Sequence, residues 1–286
     1  MTSRHATSRI TAEPVHLPFT ETAPDAPFRW RLGVRPLDLA DWFEWGETGD
    51  AAVAAKASIM AKHADAAFAV LDQRVSDEGA ELAELVVAYL AEHRPDQSRV
   101  LNPELHPLDA VARLVPDDVV LLVERDGRLV FGGGSLCFPN RWDLRSKLGL
   151  TMAQVHEPVE LLNKQIEGPI DHFFSRLVPE RSWWRLGWGI IDTDDWYAPS
   201  HPERNDAQMP FSSDSWWLRV ERETLRRLPR TGAVAFGIRT HVTPLGDLDA
   251  DVRSHLAARI EQLPDEVVRY KSVADVRENI IADLRN

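Results

Sequence analysis

The densest group of chemically active side chains in this sequence is a run of arginines and glutamates. Residues 219–227 read RVERETLRR and hold four arginines and two glutamates. Guanidinium groups present a rigid fork of donors that matches carboxylates and phosphates. A plain solvated surface rarely needs so many at this spacing. The block therefore predicts a site that binds or balances carboxylates, although a structural ladder of ion pairs explains the same pattern.

The place of Arg222 depends on whether this block is a strand or a helix. If residues 216–223 form a strand, alternation puts Glu221 and Arg222 on opposite faces, with Arg222 on the more apolar one. A buried cation there needs a partner or a ligand. If the block is helical, Arg222 lies outside. We favour a strand that passes into a single helical turn at residues 224–228, which Pro229 ends.

His156 is the second candidate functional residue. It lies in AQVHEPVELL, directly before a segment with helical spacing. Pro158 biases the residue before it toward an extended backbone, which helps to hold this turn in shape. Neutral imidazole is a common metal ligand, but a histidine that caps the following helix or joins a buried polar network explains the motif as well. His172, further along the same helix, is the rival ligand.

The elements around these residues begin with a predicted β-hairpin. Two apolar, β-rich runs are joined by Asp126-Gly127, a pair typical of a two-residue hairpin turn. Short helical pieces and then a longer helix follow, at residues 142–155 and 160–177. Three further strands are predicted at 183–191, from about 215, and at 233–242. The helices are thus inserted between the second and third strands of five.

The regions on either side of these strands have other compositions. Residues 1–27 are polar and predict an extended or disordered arm. Residues 28–115 predict a helical region that packs on the core, with its helices at 51–93 divided at Gly79. Residues 116–245 form the predicted core. Residues 246–286 predict two C-terminal helices, at 249–263 and 273–284, with a break at Pro264.

The composition is that of an ordinary globular chain. Its 286 residues suit one large domain or two small ones. A formal net charge of −12 argues against a nucleic acid or an anionic membrane as partner. No apolar run approaches the ~20 residues of a membrane span, and the N-terminus lacks a signal peptide, so we expect a cytoplasmic protein. The single cysteine, Cys137, excludes an internal disulfide and is expected to be a buried thiol.

Six short blocks carry a resemblance to a known family. They are FPNRW (138–142), KLG (147–149), VHEPVE (155–160), RLGW (185–188), RVERETLRRLP (219–229) and FGIRTH (236–241). In this order they resemble the haem-dependent oxidative N-demethylase alpha subunit and its relatives, over roughly residues 28–271. The chain departs from the family pattern at Glu160, which replaces Pro, Gly187, which replaces Asn, Glu223, which replaces Gln, and His241, which replaces Tyr.

The resemblance implies an α+β fold with a PAS-like five-stranded antiparallel sheet, inserted helices, and flanking N- and C-terminal helices. It also implies a b-type haem in the core. We assign His156 as the iron ligand and Arg226 as a second cofactor-binding residue. Glu221 and Arg222 are assigned as catalytic residues: Glu221 would hold an ammonium group, and Arg222 would orient dioxygen or balance that carboxylate.

The reaction that the resemblance implies is oxidative removal of an N-methyl group from a small amine, for which dimethylamine is the family candidate. The co-substrate is O2. No nucleotide motif is visible, so the resemblance implies that the electrons come from a separate reductase, which carries the NADPH and flavin sites and could join this chain in a hetero-oligomer. Two alternatives stay open: a haem-binding PAS-type sensor, and a non-catalytic subunit of an assembly.

Overall fold

A computed structural model describes residues 27–156, 160–200 and 210–286, without the side chains of residues 160–164 and 166. The arm predicted at residues 1–27 lies outside the described residues, apart from Pro27. The domain boundaries inferred from the sequence stay predictions.

One antiparallel sheet forms the centre of the described fold. Its seven strands are β1 (Arg35–Leu37), β2 (Phe68–Val70), β3 (Asp118–Arg125), β4 (Arg128–Ser135), β5 (Ser182–Ile191), β6 (Trp217–Arg227) and β7 (Val234–Pro244). They are arranged in the order β1-β5-β6-β7-β3-β4-β2. The five predicted strands are its contiguous middle, and the count of five is wrong because β1 and β2 pair onto β5 and β4. The PAS-like assignment stays a prediction.

Helices cover both faces of this sheet. The described chain has eight α-helices: α1 (Gly49–Ala67), α2 (Val75–His93), α3 (Pro107–Ala112), α4 (Met152–Val155), α5 (Glu160–Arg176), α6 (Ala250–Glu261), α7 (Asp265–Tyr270) and α8 (Arg277–Leu284). As predicted, α4 and α5 are inserted between β4 and β5. The mixed α and β content and the antiparallel sheet are therefore confirmed. Within the described ranges, no helix is long and apolar enough to cross a membrane.

The hairpin between β3 and β4 confirms the prediction made from Asp126-Gly127. Both residues have positive φ, 53° and 73°, which a type I′ turn requires and which few other residue pairs tolerate. Arg125 pairs with Arg128 directly across this turn. Local turn chemistry thus sets the register of the two strands.

The two faces of the sheet carry different layers, because cross-strand neighbours and alternate residues share a face. We call the face that bears Glu221 the front face and the face that bears Arg222 the back face. On the back face, helices α1–α3 pack on one end of the sheet and helices α6–α8 on the other. On the front face, side chains of α4 and α5 pack on Val120, Leu122 and Leu225.

The predicted break at Gly79 is wrong. Gly79 lies inside α2, and α1 and α2 are separated instead by residues 68–74, which include β2. A Cβ at Gly79 would lie 2.9 Å from the backbone nitrogen of Leu108. The glycine therefore lets α2 approach α3 closely, which is a packing requirement and not a helix end.

The predicted helical turn at residues 224–228 is also wrong. Strand β6 continues to Arg227, because Arg226 and Arg227 pair with Ala235 and Val234 of β7. This pairing outweighs the helical spacing of the local sequence. The C-terminal region has three helices rather than two, since the short helix α7 follows Pro264.

Candidate functional site

A strip of the front face is partly exposed although it belongs to the interior of the sheet. Residues 183–189 of β5 and 221–223 of β6 are all partly exposed. Strand β1 pairs with β5 only as far as Trp184, so no described strand pairs with the outer edge of β5 beyond that residue. Four front-face residues of this strip, with the buried Arg219 beside them, form what we call the polar floor: Arg185, Gly187, Glu221, Glu223 and Arg219.

Two ion pairs hold the charged side chains of the polar floor. Arg219 Nε lies 2.8 Å from Glu221 Oε1, and Arg185 Nε lies 3.3 Å from Glu223 Oε2. Arg219 is 1% exposed and also donates to the hydroxyl of Thr240 at 3.2 Å. A buried guanidinium held at several points is a rigid counterion. Arg219 therefore fixes one oxygen of Glu221 by a hydrogen bond, whereas Arg185 lies within ion-pair distance of Glu223 but makes no hydrogen bond to it through Nε.

The other oxygens of the two carboxylates converge above Gly187. A Cβ placed there would lie 3.0 Å from Glu223 Oε1 and 3.9 Å from Glu221 Oε2. Neither oxygen accepts a hydrogen bond from the described residues. Two acceptor oxygens thus lie close to the backbone of Gly187, and Glu223 Oε1 comes near enough to crowd a Cβ there. Such a pair of acceptors suits a cation with N–H donors, since an ionised carboxylate only accepts.

The charge environment separates the two carboxylates. Burial raises the pKa of Glu223; Arg185 opposes this shift and the negative charge of Glu221 adds to it. Glu223 therefore gains a proton more readily than an ordinary glutamate does. Arg219, at the other end of the floor, is the direct counterion of Glu221. Glu223 is thus suited to the role of a proton carrier, and Glu221 is held by its ion pair with Arg219.

The C-terminal layer closes the open edge of β5. Lys271 Nζ donates to the carbonyl of Trp188 at 2.6 Å and lies 4.4 Å from the centre of its indole ring. Burial lowers the pKa of Lys271 to about 8, against the attraction of Glu221. Tyr270 is half-exposed beside it. The lysine fixes the backbone directly after Gly187 and so supports the floor from the side.

His156 ends α4, and its ring is held by the helix backbone. Thr151 and Gln154 form a capping box that fixes the start of α4. His156 Nδ1 lies 2.8 Å from the carbonyl oxygen of Met152. A carbonyl can only accept, so Nδ1 carries the hydrogen and Nε2 keeps its lone pair. Burial lowers the pKa of His156, the bond to Met152 opposes this, and Arg185 and Lys147 lower it further.

This state of His156 fits an axial ligand of haem iron. Such a ligand is a neutral imidazole whose second nitrogen donates to a carbonyl or carboxylate, which fixes the ring and raises its basicity. Cys137 is buried as predicted, and burial raises its pKa to about 12, which disfavours a thiolate ligand. The described residues contain no group of three or more His, Cys, Asp or Glu side chains able to hold a bare metal ion.

His172, the rival ligand, has a different environment. It is exposed on α5, and its Nε2 lies 3.4 Å from Arg176 Nη1, which donates to it. It lines an open groove of about 560 Å³ under α5. Among the described residues, no backbone group holds its ring as the Met152 carbonyl holds that of His156. The geometry of the described residues therefore favours His156 over His172.

The structure does not bring the four predicted site residues together. Glu221 is on the front face, and the positive charge of the front-face residue Arg185 lowers the pKa of His156. Arg222 and Arg226 are on the back face. Arg222 Nη2 donates to the carbonyl of Asp41 at 2.6 Å, and the Arg226 guanidinium lies 4.3 Å from the Trp42 ring centre. Their described contacts thus hold the N-terminal layer to the sheet.

Sequence reasoning missed Arg185 and Arg219 as members of the candidate site, although the departures at Gly187 and Glu223 had pointed to polar blocks that could line one. Strand alternation had already placed Arg219 and Glu221 on one face, and this was the signal that could have found Arg219. The position of Arg185 follows only from strand pairing, because it lies opposite Glu223.

The comparison with known families bears directly on this site. The sequence model of one family, described as haem-dependent oxidative N-demethylase, alpha subunit-like, matches residues 33–281. The match spans all seven strands and the inserted helices, and it includes both His156 and the polar floor. It confirms the resemblance seen in the six sequence blocks. The chain belongs to the haem-dependent oxidative N-demethylase, alpha subunit-like family.

Proposed function

We propose that the protein is a haem-b-dependent monooxygenase that removes an N-methyl group from a small amine. The observation that carries the proposal is the pairing of a ligand-competent His156 with the polar floor, whose two free carboxylate oxygens converge on one space. Haem, when bound, supplies the activation of O2. One oxygen atom ends in formaldehyde and the other in water, and the reaction consumes two electrons and two protons.

His156 has the role of holding the iron. Its bond to the Met152 carbonyl keeps the ring oriented and leaves Nε2 as the donor atom. Because burial keeps the imidazole neutral, no proton has to leave before it binds. The capping box of α4 holds the turn on which both residues lie.

Glu221 and Glu223 have the role of binding the amine. An ammonium group above Gly187 donates to the free oxygen of each carboxylate, while Arg219 and Arg185 hold the other oxygens. Both free oxygens lie within 4 Å of one backbone position, so they suit a small head group. Glu223, with its raised pKa, takes the proton that the nitrogen gives up.

The electrons come from a separate reductase that carries NADPH and flavin. The family description as alpha subunit-like agrees with an assembly of more than one chain. The partly exposed side chains of Arg185 and Glu221 give such an assembly access to the polar floor from the front face.

The test is the absorption spectrum of haem-reconstituted protein. We expect the Soret band to be lost or shifted in His156→Ala and to be unchanged in His172→Ala, the matched control from the same region. The reverse pattern would move the ligand to His172. A wild-type protein without a Soret band would leave only the non-catalytic subunit. Haem binding without formaldehyde release, when a reductase and amines are supplied, would favour the sensor.

A further inference from the structure

The polar floor continues along β5 to a second glycine on the same face. Gly187 and Gly189 are one alternation apart, and Gly189 pairs with Arg219 as Gly187 pairs with Glu221. Among the described residues, a Cβ at Gly189 would meet only Asn140 Nδ2 within 4 Å, at 3.8 Å. Two residues of a strand span about 7 Å. The floor therefore has a second position without a side chain, and donor groups instead of carboxylates lie beside it.

Two guanidinium groups of the floor have buried N–H donors without a partner. Arg219 Nε donates to Glu221, and its Nη2 donates to the carbonyl of Phe138 and the hydroxyl of Thr240. Its Nη1 is buried but makes no hydrogen bond to the described residues, and the same holds for Arg185 Nε. Buried polar groups nearly always have a partner, and a charged group without one is costly. These donors therefore indicate that the floor also binds acceptor oxygens.

The charges of the floor favour a ligand that carries both signs. Arg185 and Arg219 contribute two positive charges, which Glu221 and Glu223 can at most balance. Burial raises the pKa of Glu223, and each time it is protonated the floor has an excess of positive charge. A simple ammonium ion adds one more positive charge to this partly buried place, which is unfavourable. A ligand that also carries an acid adds no net charge.

We propose that the substrate of this site is a small N-methylated amino acid. Its ammonium group lies at Gly187 between the two glutamates, and its carboxylate lies at Gly189, where Arg219 and Asn140 donate to it. The inference rests on the proposed function, because it keeps the amine position and adds a second half to the ligand. The distance of about 7 Å between the two glycines favours an acid that is more than one carbon away from the nitrogen.

The first experiment compares two ligands on the wild-type protein, so it does not depend on the folding of a variant. Haem-reconstituted protein is titrated by calorimetry at neutral pH with N-methyl-β-alanine and with its amide, in which a neutral group replaces the acid. We expect the acid to bind about tenfold more tightly, the lower end for a hydrogen bond to a charged group at a partly exposed site. Equal affinities, or tighter binding of the amide, would overturn the proposal.

The second experiment removes the donors at Gly189. The backbone of Asn140 is held by a bridge to Ala198, so Asn140→Ala should leave the loop in place. It should weaken binding of N-methyl-β-alanine about tenfold and bring its affinity close to that of the amide. Arg219→Gln should have the same effect, with a thermal melt to check its fold. Asn102→Ala, which removes an exposed asparagine from the loop before α3, is the control and should bind as wild type does.

The outcomes separate this inference from the proposed function. If Asn140→Ala and a folded Arg219→Gln both keep the wild-type preference for the acid, the carboxylate does not lie at Gly189 and the inference fails. If dimethylamine binds but the acid and its amide bind alike, the inference fails and the proposed function stands. If the haem-reconstituted wild type binds none of these amines, the amine site of the proposed function itself fails.

Discussion

Gly187→Ala is the sharpest test of the amine site, because it adds one methyl group where the two carboxylates converge. The new Cβ would lie 3.0 Å from Glu223 Oε1, so this carboxylate must move by a few tenths of an ångström. Gly187 is not among the glycines with positive φ, and the backbone therefore accepts alanine. In a strand interior the change even favours folding by roughly 0.5–1 kcal/mol. We expect the fold to remain intact.

The expected loss is in amine binding. The methyl group occupies the place where an ammonium group would donate to both free oxygens. A hydrogen bond to a charged group contributes about 1.5–3 kcal/mol, and the half-exposed floor argues for the lower end of this range. Loss of one such bond lowers the affinity about tenfold, and loss of both lowers it further.

The assay is calorimetric titration of the protein with dimethylamine at neutral pH, with a thermal melt of each variant. Gly189→Ala is the matched control, since Gly189 lies on the same strand and face, and a Cβ there would lie 3.8 Å from Asn140 Nδ2, an ordinary contact. We expect weaker binding in Gly187→Ala alone. Equal affinities for wild type and Gly187→Ala, or equal losses in the two variants, would refute the convergence of Glu221 and Glu223 on the amine.

Two further predictions concern the back face and the buried charges. Arg222→Leu should lower the free energy of unfolding by about 1–2 kcal/mol, because it removes the hydrogen bond to the Asp41 carbonyl. The Soret band and the amine affinity should stay unchanged. Urea unfolding and absorption spectra measure these effects, and an altered spectrum at full stability would contradict the prediction. Asp117 is fully buried without a hydrogen-bond partner for either carboxylate oxygen. Burial raises its pKa from 3.8 to about 7, so the folded state binds the extra proton and stability falls as pH rises through this window. Asp117→Asn should remove this fall, seen in unfolding at several pH values, and identical pH profiles would show that Asp117 titrates normally.

Local signals predicted the elements whose shape depends on a few neighbouring residues. Asp126-Gly127 fixed one hairpin because its turn type needs positive φ at both positions. The strands β1 and β2 were missed because three residues carry no periodicity, and they exist only by pairing with distant strands. The end of β6 was wrongly predicted to be a helical turn for the same reason. Residues 224–227 have helical spacing, but pairing with β7 makes them part of the strand.

The site was only partly predictable, and the reason is geometric. Alternation along β6 already placed Glu221 and Arg222 on opposite faces, so one ligand could not contact both directly. The sequence did not show which layer covers each face. That depends on contacts between residues far apart, such as the bond from Arg222 to Asp41, which is 181 residues away.

The departures of this chain from the family pattern at positions 187 and 223 form one structural change. With asparagine in place of Gly187, the Cβ alone would lie 3.0 Å from Glu223 Oε1, so the glycine makes room for the glutamate. Glutamate in place of glutamine replaces a group that can donate with one that only accepts when ionised, and Arg185 stands opposite to balance its charge. In this chain two carboxylates, Glu221 and Glu223, come close to Gly187. Because each accepts a hydrogen bond when ionised, we expect the protein to prefer amines that offer two N–H donors over tertiary amines, which offer one.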